Sequence, residues 1–280
     1  MLIIKKAKDL KSNITSLRKQ NKKIGFVPTM GALHQGHISL IDKASEENDI
    51  VVCSIFVNPS QFNQKEDFDK YPITTSSDID KLIKSPCDIL YLPSLDEIYP
   101  DGWNSEAKLD LGKLATIWEG EFRPGHFDGV VQVVGILLEM VLPNNLYLGQ
   151  KDFQQCAIIK KLISINKYPI NTIICETKRE ASGLAMSSRN ARLKDTDIAD
   201  ALILSKSLFF IKNNFEKLNN EELISQAKSM YANNDNIKLE YLAIVDRDSL
   251  ESLTTEKNNA VVLVVAWVGG VRLIDNVLLS

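Results

Sequence analysis

FVPTMGALHQGH, residues Phe26 to His37, is a strand that breaks and restarts as a helix. Ile24, Phe26 and Val27 form the apolar run of a short strand. Pro28, Thr29 and Gly31 end it. A helical pattern begins near Gly36, with Ile38, Ile41 and Ala44 along one face. His34 and His37 fall where loop becomes helix. The 280 residues contain only three histidines, so two of them three positions apart carry information. A helix N-terminus offers unpaired N–H groups and partial positive charge, which suits a phosphate. Histidines there can add donors, and Gly36 lets a ligand approach the backbone closely. His34-Gln35-Gly36-His37 therefore predicts a nucleotide-phosphate site. The plain alternative is a pair of surface histidines beside a turn. A metal shared by the two ranks lower, because no Cys or third His stands near in sequence to complete a ligand set.

Outward from this stretch, strands and helices alternate. Leu10, Ile14 and Leu17 mark a helix before it. After it come DIVVCSIFVNP, an unbroken apolar run ended by Asn58-Pro59, and the polar segment SQFNQKEDFDKYP, read as loop. SSDIDKLIKS predicts a helix capped by Ser77, and CDILYLP a strand. LGKLATIWEGEFRPGHFDG is irregular. VVQVVGILLEMVLP is a helix apolar nearly all round, stopped before Pro143. NLYLG is a strand, KDFQQCAIIKKLISI a helix opened by Lys151 and Asp152, and INTIICE a strand. Continuous apolar strands separated by helices imply right-handed βαβ units and a parallel sheet buried on both faces. The expected fold is α/β, a Rossmann-like parallel sheet with helices on both faces over residues 1–176. Ligands in such sheets bind at the carboxyl ends of the strands. Here those ends carry PTMGALHQGH, FVNPSQF and LGQKD.

A smaller α+β domain is expected over 177–280, closing over the site. It opens on the polar loop KREASGLAMSSRN. A helix follows from Asp195, with Ile198, Ala201, Leu202, Leu208 and Phe209 on one face, and another capped by Asn220. LEYLAIV and AVVLVVAWV are strands, with a turn at Gly269-Gly270 before VRLIDNVLL.

Composition excludes several classes. A net charge of −3 and a pI near 5.7 lack the basic footprint of nucleic-acid binding. The longest apolar run, Ala260 to Val268, is too short for a bilayer, and MLIIKKAKDL has no signal-peptide core. Cys53, Cys87, Cys156 and Cys175 show no CxxC spacing and suit buried free thiols in a reducing compartment. A cytoplasmic protein is expected, without nucleic-acid or membrane partners and without a protein-held metal.

Other residues add chemistry. Lys151 at a helix start can neutralise charge developing on a phosphoryl group. Asp152 can cap that helix or help hold a nucleotide-bound cation. Met186-Ser187-Ser188-Arg189-Asn190 gathers two hydroxyls and a guanidinium, a set that grips phosphate oxygens. Gln61 and Gln155 are neutral amides that can fix a hydroxy acid while leaving its carboxylate nucleophilic. Each of these, taken alone, also fits an ordinary polar surface. His126 in RPGHFDGV fits a structural place at a helix start. Neither a P-loop nor a dinucleotide fingerprint is present.

PTMGALHQGH, FVNPSQF, KYP, RPGHFDGV, LGQKDFQQ, GLAMSSRN and RLIDN occur in this order from about Ile24 to Asn276. Together they resemble the pantoate–β-alanine ligases (pantothenate synthetases), within the HxGH nucleotidylyltransferases. The resemblance implies a homodimeric enzyme using ATP with Mg2+, pantoate and β-alanine, through a pantoyl-adenylate intermediate. It implies that His34, His37 and Lys151 are catalytic. It implies that ATP meets Pro28, Thr29, Met30, Gly31, His34, Gly36, His37, Gly149, Lys151, Asp152, Lys178, Met186, Ser187, Ser188 and Arg189. Pantoate would meet Met30, Gln61 and Gln155, and β-alanine Gln61. Leu148 stands where the family has an aromatic residue, and Lys178 where it has a small apolar one. A different nucleotidylyltransferase would share HxGH without needing FVNPSQF or the paired glutamines. A tRNA-aminoacylating fragment would want a basic surface. A non-catalytic module would bind ATP and release no pyrophosphate.

Overall fold

The structure is a computed structural model and describes residues 1–63, 65–102, 109–232 and 234–280. The chain divides into two compact units, residues 1–149 with 155–176, and residues 150–154 with 177–280. Up to Cys175 it runs β1 (Leu2–Ile4), α1 (Ala7–Lys19), β2 (Ile24–Thr29), α2 (Gln35–Glu47), β3 (Ile50–Ile55), α3 (Lys65–Asp69), α4 (Thr75–Ile83), β4 (Ile89–Tyr91), α5 (Leu95–Ile98), α6 (Glu119–Phe122), α7 (His126–Val141), β5 (Asn145–Gly149), α8 (Phe153–Ile165) and β6 (Asn171–Cys175).

The six strands form one parallel sheet in the order β1-β4-β3-β2-β5-β6. Side chains alternate across it with period two, and each strand feeds two cores. Phe26, Val52, Tyr91 and Leu146 pack with Leu10 and Ile14 of α1, the apolar face of α7, and Ile158 and Ile159 of α8. Val27, Cys53, Leu90 and Tyr147 pack on the other face with Leu40, Ile41 and Ala44 of α2 and Leu82 of α4. Full burial of a side chain such as Leu10 or Ile14 contributes about 1.5–3 kcal/mol. The expected parallel sheet with helices on both faces is what forms.

Strand order reverses between β3 and β5, which flank β2. β2 pairs with β3 through Thr29 but with β5 only through Gly25 and Phe26. Pro28, which has no N–H to give, falls where β5 no longer pairs. The strands part there, and the crevice at such a switch point is where open parallel sheets bind ligands.

The second unit contains α9 (Asp195–Asn214), α10 (Asn220–Ser229), β7 (Ile237–Asp246), β8 (Ala260–Val268) and β9 (Val271–Leu278). The strands form an antiparallel sheet in the order β7-β8-β9. Its core joins Ala201, Leu204, Leu208 and Ile211 of α9 and Leu223 of α10 to Val262, Val264 and Leu273.

Several local expectations need correction. β1 is a strand that no apolar spacing in the sequence predicts; it has three residues, of which only Ile4 is buried. The helix over 75–83 is entered from Thr74, not Ser77. α10 is capped by Asn219, whose side chain accepts from the Glu222 N–H (2.8 Å). Asn220 is buried instead, and its amide donates to the carbonyls of Leu253 and Glu256. α8 starts at Phe153, so Lys151 and Asp152 stand in the turn before it. On α9, Ala201 and Leu208 are buried as expected, but Ile198 and Phe209 are more than a third exposed, and the buried face runs on through Leu204 and Ile211. The polar and irregular segments contain the short helices α3 and α6; Gln64, within the first, lies outside the described residues. Cys53, Cys87 and Cys156 are buried free thiols, whereas Cys175 is only partly buried.

Candidate active site

The turn after β2 is held from behind by Asp78 of α4. Thr29 Oγ1 donates to Ser54 O (2.8 Å) and accepts from Gly31 N–H (3.2 Å). Gly31 has φ +83°, and a Cβ there would meet Ile55 and the Asp78 carboxylate at 3.0 and 3.1 Å. Ala32 follows at φ +48°, a left-handed conformation that costs a non-glycine residue about 1–3 kcal/mol. It persists because Asp78, 1% exposed, accepts from Ala32 N–H (2.9 Å) and Leu33 N–H (2.8 Å). Charge-assisted bonds of this kind are about twice as strong as neutral ones.

His34 and His37 cap α2 reciprocally. His34 Nδ1 accepts from Gly36 N–H (3.1 Å), and His37 Nδ1 accepts from His34 N–H (3.2 Å). The ring centroids lie 4.1 Å apart. A ring nitrogen that accepts carries no proton, so each imidazole is neutral and bears its proton on Nε2. The turn thus fixes two Nε2–H donors at a helix N-terminus. The helix starts at Gln35, with His34 itself as the cap.

Gln61 ends a 3-10 turn, Pro59–Gln61, that follows β3. It is buried, and its Nε2 lies 2.8 Å from Met30 Sδ, which joins two of the three segments expected at the sheet edge. Its carbonyl accepts from His126 Nδ1 (2.7 Å) and Arg123 Nη2 (3.4 Å). With Nδ1 donating, His126 Nε2 is left to accept from Arg123 Nη1 (3.1 Å). Asn58 donates to Gln61 Oε1 (3.3 Å) and to Gly129 O (3.1 Å), and accepts from Tyr99 OH (3.0 Å). A Cβ on Gly129 would lie 2.5 Å from Ser60 O, so the turn can sit against α7 only over a glycine. His126 therefore has the structural place expected of it, and it braces Gln61. Gln155 stands on α8, partly buried. Gly149, the last residue of β5, accepts from Cys156 Sγ through its carbonyl (3.4 Å).

In the second unit, the Lys151 side chain is 14% exposed and its Nζ lies 3.7 Å from Asp152. Residues 178–186 form a small hairpin. Arg179 bridges Ala185, and Lys178 O accepts from Met186 N–H (2.9 Å), so Lys178 and Met186 are brought together through backbone. Ser187 Oγ then accepts from Arg189 N–H (3.3 Å) and starts the 3-10 turn Ser188–Arg192. Arg179 makes a bidentate pair with Asp275 (2.6 and 3.0 Å). Burial pushes the Asp275 carboxyl above its ordinary value, against the pull of Arg179 and, more weakly, of Lys151.

A sequence model described as pantoate–beta-alanine ligase matches residues 2–278. The chain belongs to the pantoate–β-alanine ligase family. The Cytophaga hutchinsonii pantothenate synthetase is 44% identical over all of this chain and 99% of its own length. The Sulfurihydrogenibium enzyme of the same name is 42% identical over 99% of each. The crystal structure of pantothenate synthetase from Thermus thermophilus superposes with a TM-score of 0.93, at 33% identity over 99% of each chain. The Francisella tularensis pantoate–beta-alanine ligase, solved with beta-gamma ATP and beta-alanine, is 43% identical, with a TM-score of 0.80 over 99% of this chain and 97% of its own. Set within a pantoate–β-alanine ligase, Asp78, Asn58 and Arg123 are supporting residues to which the sequence alone gives no role. Arg123 and Asn58 lie in quoted motifs, RPGHFDGV and FVNPSQF. Asp78 had no such signal.

Proposed function

We propose that this chain makes pantothenate in two steps, with the named residues in the roles below. Family membership makes it an AMP-forming enzyme that ligates pantoate and β-alanine using ATP. In the first step a pantoate carboxylate oxygen attacks the α-phosphorus. The bond from that phosphorus to the bridging oxygen breaks, and pyrophosphate leaves. In the second, the free amine of β-alanine attacks the acyl carbon, the bond to AMP breaks, and the amine loses a proton. No protein nucleophile is required; positioning and charge stabilisation suffice.

The observation that carries this reading is the capped histidine pair. Its two Nε2–H donors are fixed before substrate arrives, at the helix N-terminus beside the sheet's switch point. Preorganised donors lose nothing to reorganisation as charge builds on phosphoryl oxygens. Lys151 supplies a cation, and Met186, Ser187, Ser188 and Arg189 supply further donors. Pro28, Thr29, Gly31, Gly36 and Gly149 give backbone close to the nucleotide, and Lys178 meets it through backbone. Met30 packs on pantoate beside Gln61 and Gln155, and Gln61 then serves β-alanine. Mg2+ would enter with ATP and neutralise phosphate charge, and Asp152, half exposed beside Lys151, would hold it through a water. Among the described residues no helix is long and apolar enough to cross a membrane. We place the enzyme in the cytoplasm as a homodimer, a state that a single-chain mass in sedimentation equilibrium would refute.

His37→Ala tests the assignment. Loss of one such donor costs about 2.7–4 kcal/mol in transition-state stabilisation. Adenylation, followed as pyrophosphate release in a single turnover, should fall by two to three orders of magnitude with ATP affinity nearly kept. A rate within threefold of the parent refutes the role.

A further inference from the structure

Asn276 sits near the end of β9, opposite Leu263 of β8, and is 2% exposed. Its side-chain nitrogen donates to two successive carbonyls, Gln150 O (2.9 Å) and Lys151 O (2.9 Å). Its side-chain oxygen accepts from Gln150 Nε2 (3.0 Å). Two carbonyls facing one end of the amide and an N–H facing the other leave a single orientation for the group. All of these contacts lie within the second unit, although 126 positions separate Asn276 from Gln150. The neighbour Asp275 is tied separately to Arg179, and its carboxylate also accepts from Asn276 N–H (2.8 Å).

Two peptide planes are fixed by these bonds, those joining 150 to 151 and 151 to 152. Together they set the Cα–Cβ direction of Lys151, which stands in the turn before α8. The side chain is mostly buried, so a small rotation of its base would move the ammonium at the end of a long stem. We propose that Asn276 is a positioning residue for Lys151: its amide sets the backbone from which the lysine reaches the nucleotide. This inference rests on the catalytic role given to Lys151 above. Asparagine suits the task because both N–H groups are used at once. A carboxylate of the same shape would donate neither and would face two carbonyl oxygens.

The test is a double-mutant cycle on single-turnover pyrophosphate release with ATP and pantoate, using Lys151→Ala, Asn276→Asp and the double variant, with thermal unfolding in parallel. Asn276→Asp should slow adenylation at least tenfold and leave the pantoate KM within twofold. In the Lys151→Ala background the same change should cost less than twofold, because the residue it positions is gone. A purely structural role would instead slow both backgrounds alike, and that result overturns the proposal. So does Asn276→Asp at the parent rate while Lys151→Ala is impaired. A parent rate in Lys151→Ala refutes the role of the lysine and the inference with it. Gln150→Ala, which removes only the donor that orients Asn276, repeats the cycle should Asn276→Asp fail to fold. It should show the same loss and the same dependence on Lys151.

Discussion

Gln61, the residue proposed to hold pantoate, is fixed from several sides. Its backbone is bonded to His126 and Arg123, its amide oxygen to Asn58, and its amide nitrogen lies against Met30. The residue is neutral, so it can orient a hydroxy acid without binding the nucleophilic carboxylate as a counter-ion. Truncating one partner of a buried hydrogen bond costs about 1–3 kcal/mol through the group left unsatisfied. Gln61→Ala and Gln155→Ala should each raise the pantoate KM at least tenfold and change ATP affinity little. Gln61→Glu should be worse than Gln61→Ala, since it sets a negative charge beside the incoming carboxylate. Separate titrations of pantoate and ATP into each variant check this. A loss of ATP binding with pantoate binding kept would put the glutamines in the wrong half of the site.

Among the elements, α1 is held at its start by a residue from α5. Glu97 accepts from Ala7 N–H (2.8 Å) and from Lys6 Nζ (2.9 Å), and these bonds hold its carboxyl below the ordinary value of 4.5. A carboxylate with a lowered folded pKa stabilises fully above the unfolded value, and that contribution disappears as pH falls through the folded one. Glu97→Gln should therefore unfold at lower temperature than the parent at neutral pH, and the gap should close in acid; a gap constant with pH would contradict this. The same contact shows what the sequence could not reveal. β2, β3, β5, α2, α7 and the hairpin turn at Gly269-Gly270 are written locally, as apolar runs, helical spacing and turn residues. β1 has three residues and one buried side chain, too few to show a period. Thr74 and Asn219 lie one to three positions from the caps expected, because neighbouring Ser and Asn offer equal local chemistry. His34, His37, Gln61 and Lys151 stand in motifs whose residue types state their chemistry. Asp78 reaches the turn after β2 from 45 positions away, and Asn276 reaches Lys151 from 125. Such support exists only once the chain has folded.

At the scale of the whole molecule, the residues given roles in the proposal are divided between the two units. The first holds the histidine pair, Gln61 and Gln155; the second holds Lys151, Asp152 and the Met186–Arg189 turn. The two chemical steps ask for different things from this set. Adenylation needs donors and a cation around phosphates while pantoate is held by neutral amides, and none of that depends on an amine. β-Alanine has work only after the acyl carbon has been activated. On the proposed roles adenylation comes before the amine step, and one measurement addresses that order most directly. Enzyme, ATP, Mg2+ and pantoate are mixed in a single turnover, with β-alanine omitted or added. The account predicts one equivalent of pyrophosphate without β-alanine, and AMP with pantothenate only when it is present. Strict dependence of that first pyrophosphate on β-alanine would contradict it.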